Sequence, residues 1–192
     1  YYPRPIYQNI KIINKPVKIG FVLAVYHPYN SHLHKYFFEV FREFQKLFPQ
    51  VILCFRFHEG FTSDNFYQLA HAFSLKYVDC SHQPLDEFIK HCDIFVVWDT
   101  SAILWCMILG KPIIHTAANW SRPMLPTQRY KACWNPNSPK ELVDIIKRFV
   151  EKPEIYQELI EGQKKFLKDY CGPLDGKASD RLEKFITTLV KE

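Results

Sequence analysis

The sequence has 192 residues, 47% of them hydrophobic and 23% charged, a balance that suits one ordinary folded domain with a core and excludes disordered, collagen-like and coiled-coil chains. The apolar runs, such as Ile94–Trp98, are strand-sized and far short of the ~18 residues of a membrane span. A net charge of +5 suits a small anionic ligand and comes without the basic clusters expected of a nucleic-acid binder.

Residues 1–16 carry Pro3, Pro5 and Pro16 without periodicity and are expected to form a leader or interdomain linker. Tyr1–Asn14 has no signal-peptide core, and the missing initiator Met leads us to expect an excised domain or a processed chain. From Val17 onward, short apolar runs alternate with amphipathic segments. Val17–Val25 reads as a buried strand. Leu33, Phe37, Val40, Phe41, Phe44, Leu47 and Phe48 recur at three and four, predicting a helix capped by Asn30 or Ser31. Val51–Phe55 predicts a second strand, Asp64–Phe73 a helix and Tyr77–Val78 a brief third strand.

Leu85–His91 predicts a short helix, and Ile94–Trp98 a strand rich in β-branched and aromatic residues. Ala102–Leu109 reads as a helix stopped by Gly110 with Pro112 beyond, and Ile113–His115 as a strand. Trp120–Arg129, with Pro123 and Pro126, reads as a loop. Ser138-Pro139-Lys140-Glu141 is a capping box that opens a helix to about Val150. Pro153–Tyr170 and Ala178–Lys191 predict two further helices.

Strands alternating with helices imply right-handed βαβ units, and unbroken apolar strands imply helices on both faces. The expected fold is one α/β domain over residues 17–192. It would be a Rossmann-like, doubly wound parallel sheet of five or six strands with extra C-terminal helices. In such sheets ligands bind beyond the C-terminal strand ends, where the strand order reverses.

Three segments could supply such a site. Asp99-Thr100-Ser101 follows a strand and opens a helix, so hydroxyls, backbone N–H groups and the helix dipole suit a phosphate there. Thr and Ser are equally the commonest helix caps, and local pattern does not choose between the two roles. Phe55-Arg56-Phe57-His58 sets Arg56 and His58 on one side of an extended chain. That pair suits an anion, or is a solvated strand tip. Asp175-Gly176-Lys177-Ala178-Ser179-Asp180-Arg181 opens the final helix and on its own reads as ordinary turn chemistry. A G-x-G-x-x-G, a Walker loop and a G-x-S-x-G elbow are all missing, which argues against dinucleotide oxidoreductases and common hydrolases. Cys54, Cys80, Cys92, Cys106, Cys133 and Cys171 form no C-x-x-C pair. They are expected to be reduced structural thiols in a cytoplasmic compartment, with no zinc site.

The order of these features resembles the C-terminal half of a GT-B-fold glycosyltransferase. The R-x-H step is followed by PLDEFIKHCDIFVVWDTSAILWCMILGKPIIH, the capped helix at Ser138 and FLKDYCGPLDGKASDRLEKFI. The likeness runs from about Val17 to the end. It points to bacterial capsule and surface-polysaccharide transferases and to the CDP-glycerol glycerophosphotransferase family.

The resemblance implies a domain that binds a nucleotide-diphosphate-activated sugar or polyol. Thr100 and Ser101 would hold the donor phosphates, and Arg56 and His58 would face them. Asp175, Gly176 and Ser179 would belong to a motif near a domain interface. Many relatives place a ribose-binding acid four positions after the serine; here Trp105 stands there, as a candidate nucleoside contact or a mark of lost activity. The family works without a metal cofactor and with an acceptor-binding N-terminal domain, so this chain alone would be catalytically incomplete. The resemblance also implies the cytoplasm, at the inner face of the membrane, with no nucleic-acid partner. Peripheral membrane association is compatible with the basic, aromatic-rich composition, although no amphipathic basic helix supports it. Two alternatives stand beside this reading: a degenerate binding module without activity, and a relative of the sugar-nucleotide 2-epimerases.

Overall fold

A computed structural model of the chain describes residues 16–23, 40–42, 44–57, 64–98, 100–116 and 125–189. Its strands are β1 (Lys18–Leu23), β2 (Ile52–Phe57), β3 (Tyr77–Asp79), β4 (Ile94–Trp98) and β5 (Ile113–Thr116). Its helices are α1 (residues 40–42 and 44–47), α2 (Asp64–Ala72), α3 (Leu85–His91), α4 (Ala102–Ile108) and α5 (Thr127–Tyr130), then α6 (Pro139–Glu151), α7 (Gln157–Cys171) and α8 (Ala178–Leu189). The expected linker over residues 1–15, the Asn30 or Ser31 cap, His58 and Asp99 lie outside the described residues.

Every strand pair is parallel, in the order β3-β2-β1-β4-β5. Because parallel strands need crossovers, helices cover both faces and the strands can be apolar throughout. One face packs Phe21, Phe55, Val96 and Trp98 against Phe41 and Phe44 of α1 and Leu142, Ile146 and Phe149 of α6. The other packs Val22, Phe95, Val97 and Ile113 against Phe88 of α3, Ile103 and Met107 of α4, and Phe166 of α7. A sixth strand is reduced to one bridge, where Trp134 pairs with Ile114 along the outer edge of β5.

Three boundaries among the described residues differ by two or more residues from the sequence expectation. β2 continues two residues further, through Arg56 to Phe57, because Phe57 is buried on the same face as Phe55 and pairs with Leu23. The expected loop 120–129 includes the start of α5, whose Thr127 is fully buried. The helix expected from Pro153 begins as a 3-10 turn, Pro153–Tyr156, before α7 takes over. The capping box forms as expected: Ser138 Oγ accepts from Glu141 N at 3.2 Å, and Glu141 Oε2 accepts from Asn137 N at 2.8 Å. Gly110, at φ +64°, ends the α4 segment in the left-handed region, where a Cβ is costly.

Two polar side chains tie the turn after α4 to its neighbours. Lys111 Nζ donates to the Cys92 carbonyl at 2.7 Å and to the Lys90 carbonyl at 3.3 Å, satisfying groups left open at the end of α3. The buried Gln163 of α7 donates to the Lys111 carbonyl at 3.1 Å and accepts from Tyr156 Oη at 2.8 Å. All six cysteines are free thiols, five of them buried among apolar side chains. Burial pushes the Cys80 thiol up to about 11.

Gly162 brings α7 into direct contact with the end of α5. A Cβ there would lie 2.3 Å from the Tyr130 carbonyl oxygen and 2.4 Å from that of Lys131. In an open helix, Gly→Ala stabilises by roughly 1 kcal/mol. Here the sign is reversed, and Gly162→Ala is expected to lower unfolding free energy by about 1–3 kcal/mol, measured by urea denaturation.

Candidate functional site

β1 is the strand at which the order reverses, with β2 on one side and β4 on the other. Val22 pairs with both Arg56 and Val97, and Val97 pairs with His115. Arg56, Val22, Val97 and His115 therefore form one row across the C-terminal end of the sheet, on the face covered by α3 and α4. Arg56 is half-buried, and its Nε donates to the Gln83 carbonyl at 3.2 Å in the β3–α3 connection. That bond fixes the guanidinium near the top of β2, about 10 Å and two strand spacings from β4. Expected at a strand tip, Arg56 instead lies inside the strand, opposite in direction to Phe55 and Phe57.

Thr100 and Ser101 follow β4 and lead into α4. The structure divides the two roles that local pattern left level. Thr100 Oγ1 accepts from Ala102 N at 3.3 Å, the capping role. Ser101 makes no side-chain capping bond and is exposed at the helix start. The first-turn donors are partly engaged already, with Ile103 N on the Thr100 carbonyl at 3.2 Å and Leu104 N on the Ser101 carbonyl at 3.0 Å. Binding of an anion here would consequently lean on the Ser101 hydroxyl and the Arg56 cation more than on free amides. Trp105 lies one turn into α4, half-buried.

Asp175, Gly176 and Ser179 form a separate, exposed group at the start of α8. Asp175 Oδ1 accepts from Lys177 N at 3.0 Å, an Asx turn that the left-handed Gly176, φ +76°, completes. Arg181 Nη1 donates to Asp175 Oδ1 at 2.8 Å and Oδ2 at 2.9 Å, and Arg181 Nη2 donates to the Pro173 carbonyl at 3.3 Å. These bonds join Asp175 to Lys177 and Arg181 within the turn that opens α8.

The sequence did not single out a polar knot at the end of β5. His115, 0% exposed, shares a 2.8 Å hydrogen bond between Nδ1 and Thr127 Oγ1. Asn135 Nδ2 donates to the His115 carbonyl at 3.2 Å and to Thr127 Oγ1 at 3.1 Å. Among the described residues, Thr116 Oγ1 and Asn135 Oδ1 are buried without a partner. A polar residue inside an apolar run was the only sequence signal, and His115 carried it. No group of three or more His, Cys, Asp or Glu that could hold a metal ion occurs among the described residues, nor does a helix long and apolar enough to cross a membrane.

No family model matches the chain, and no curated protein does. Solved structures do. UDP-GlcNAc 2-epimerase from Neisseria meningitidis, solved with UDP-GlcNAc, matches with a TM-score of 0.63 at 16% identity, over 92% of this chain and 45% of that one. The wall teichoic acid polymerase TagF matches at 0.58 and 16% identity, over 94% and 45%. The C-terminal domain of a group 1 glycosyl transferase (LpcC) from Francisella tularensis matches at 0.53 and 12%, over 82% and 87%. The chain spans less than half the length of the epimerase and of the polymerase.

The Arg181 guanidinium holds the Asp175 carboxyl below the usual carboxylate range. A depressed folded-state value means that the contact is complete above ~3.9, the ordinary Asp value, and is lost as pH falls through the folded value. Carboxyl NMR titration should place Asp175 below ~3.9 in the native chain and return it toward that value in Arg181→Gln. With its five all-parallel strands and flanking helices, this chain has the fold of the C-terminal half of the GT-B glycosyltransferases, a fold shared with the UDP-GlcNAc 2-epimerases.

Proposed function

We propose that this chain is the donor-binding half of a glycosyltransferase or glycerophosphotransferase of surface-polysaccharide synthesis, binding a nucleoside-diphosphate-activated sugar or polyol. The observation that carries the reading is the placement of Arg56 and the Thr100–Ser101 pair on opposite sides of β1, the strand where the sheet order reverses. A diphosphate lying across the end of β1 would meet a guanidinium fork from β2 and hydroxyls from the β4–α4 connection. His58, two residues beyond Arg56, is assigned to the same anion.

In this mechanism the chain's part is electrostatic. Charge grows on the leaving nucleoside diphosphate as its bond to the sugar or polyol breaks. Arg56, already held by its bond to the Gln83 carbonyl, and the Ser101 hydroxyl stabilise that charge. A fixed cation in this role agrees with a metal-independent reaction. Trp105 is assigned to the nucleoside, taking the position of an acidic residue in many transferases. Asp175, Gly176 and Ser179 would then belong to the junction with an acceptor-binding domain, reached through residues 1–16 as linker. Such a half-enzyme is catalytically incomplete alone, and its place of work is the cytoplasm, at the inner face of the membrane.

The likeness to UDP-GlcNAc 2-epimerase favours a second reading on the same diphosphate site, in which the reaction is epimerisation of the bound sugar. Trp105 favours a third, a binding module without turnover. All three share the phosphate contacts, so binding is the first property to test. The double variant Arg56→Ala, Ser101→Ala should weaken UDP or CDP binding by about 2–4 kcal/mol, the range for losing charge-assisted hydrogen bonds. Calorimetry on folded protein, verified by circular dichroism, measures it. Unchanged affinity in the folded variant would remove both residues from the site.

A further inference from the structure

We infer that the outer edge of β5 carries a second binding site, for a neutral sugar ring, separate from the diphosphate site. A surface cavity of about 430 Å³ opens there between the end of α5, the segment bridged to β5 and the start of α7. Its size falls within the roughly 300–1,000 Å³ of small-molecule sites. The cavity lies on the far side of β5 from β4, so it belongs to neither wall of the β1–β4 crevice.

Its walls are built from both backbone and side chains. Trp134 and Leu159 are buried and give an apolar floor. The Trp134 indole N–H donates to Glu158, which holds that carboxylate over the floor. Gln128, Lys131 and Asn135 complete the rim. Gly162 lets α7 press against the Tyr130 and Lys131 carbonyls, so the two helical walls are fixed relative to each other.

The chemistry of the rim selects among ligands. Lys131 and Glu158 cancel in charge, so a phosphate or another ion gains little. The Gln128 amide, the Lys131 ammonium and the Glu158 carboxylate present donors and acceptors together. A sugar hydroxyl both donates and accepts, and a ring carries an apolar C–H face for the floor. Asn135 stiffens this rim from behind, its Nδ2 donating to the His115 carbonyl and to Thr127 Oγ1. The site does not depend on the donor-binding reading.

The test is an NMR titration of the intact chain with methyl β-D-glucopyranoside, which has no phosphate and does not compete at the Arg56–Ser101 end. Saturable shifts are expected at the Trp134 indole N–H and the Asn135 side-chain amide. Lys131 sits at φ +53°, a conformation that glycine adopts freely, so Lys131→Gly removes the ammonium and keeps the turn. Glu158→Gln removes the carboxylate charge and keeps an acceptor for Trp134. Each variant is expected to raise the dissociation constant about tenfold, the effect of one charge-assisted hydrogen bond. Shifts that stay linear with sugar concentration, saturation elsewhere on the chain, or a constant unchanged in either variant would overturn the assignment.

Discussion

β1 is hydrogen-bonded in parallel on both sides, to β2 through Lys18–Leu23 and to β4 through Ile19–Val22. That double pairing requires the chain to cross the sheet in one direction before β4 and in the other after it. The crossovers leave a crevice beyond the end of β1 that no helix can fill, since the helices on its two sides diverge. Gly20 shows how tightly the centre is built. A Cβ at that position would lie 2.3 Å from the Phe95 ring, so the residue facing β4 has no side chain and Phe95 covers both strands. The same packing forces Arg56, Val22, Val97 and His115 into one row, and the row sets which polar groups face the crevice.

Charge is distributed over the sheet end in a way that follows from these constraints. Arg56 enters from β2, where its Nε is anchored on Gln83. Thr100 spends its hydroxyl on the backbone, and Ser101 does not. A cation on one side of β1 and a hydroxyl on the other form a polar pair separated by apolar strands. That arrangement suits an anion with two charged groups better than a compact one. At the far edge of the sheet the polar groups are of mixed sign, and the ligand chemistry changes accordingly. One sheet thus presents two environments about 10 Å or more apart, distinguished by net charge.

Much of this was legible in the sequence, and the reasons are local. Ile94–Trp98 is an uninterrupted apolar run followed by hydroxyl residues and a helix stopped at Gly110, so both ends of that βα unit are marked. Ser138 to Glu141 announces α6 through side-chain geometry that needs no tertiary context. The extension of β2 through Arg56 was not legible. A charged residue reads as the end of a strand, and only the pairing with Val22 keeps it inside. The short α5 was hidden by prolines, because its stability comes from burying Thr127 under His115 rather than from helix propensity. The unpaired Asn135 oxygen was equally invisible, since whether an amide finds a partner is decided by the packing of β5, α5 and α7 together. At the other end of the chain, Asp175-Gly176 signals a turn by residue type alone, and a turn forms there. The bidentate Arg181 contact that stiffens it required knowing the helix phase.

A crevice at the end of β1 that binds a nucleoside diphosphate raises the melting temperature of the chain when that ligand is present, and a thermal screen reads the rise. CDP, UDP, GDP and ADP would each be added at millimolar concentration, with and without Mg²⁺. A ligand at 100 times its dissociation constant stabilises by about 2.7 kcal/mol, which moves the midpoint by several degrees in a chain of this size. Such a rise is expected with at least one of the four, the same with and without Mg²⁺. No rise with any of them would mean that the crevice is not a nucleoside-diphosphate site.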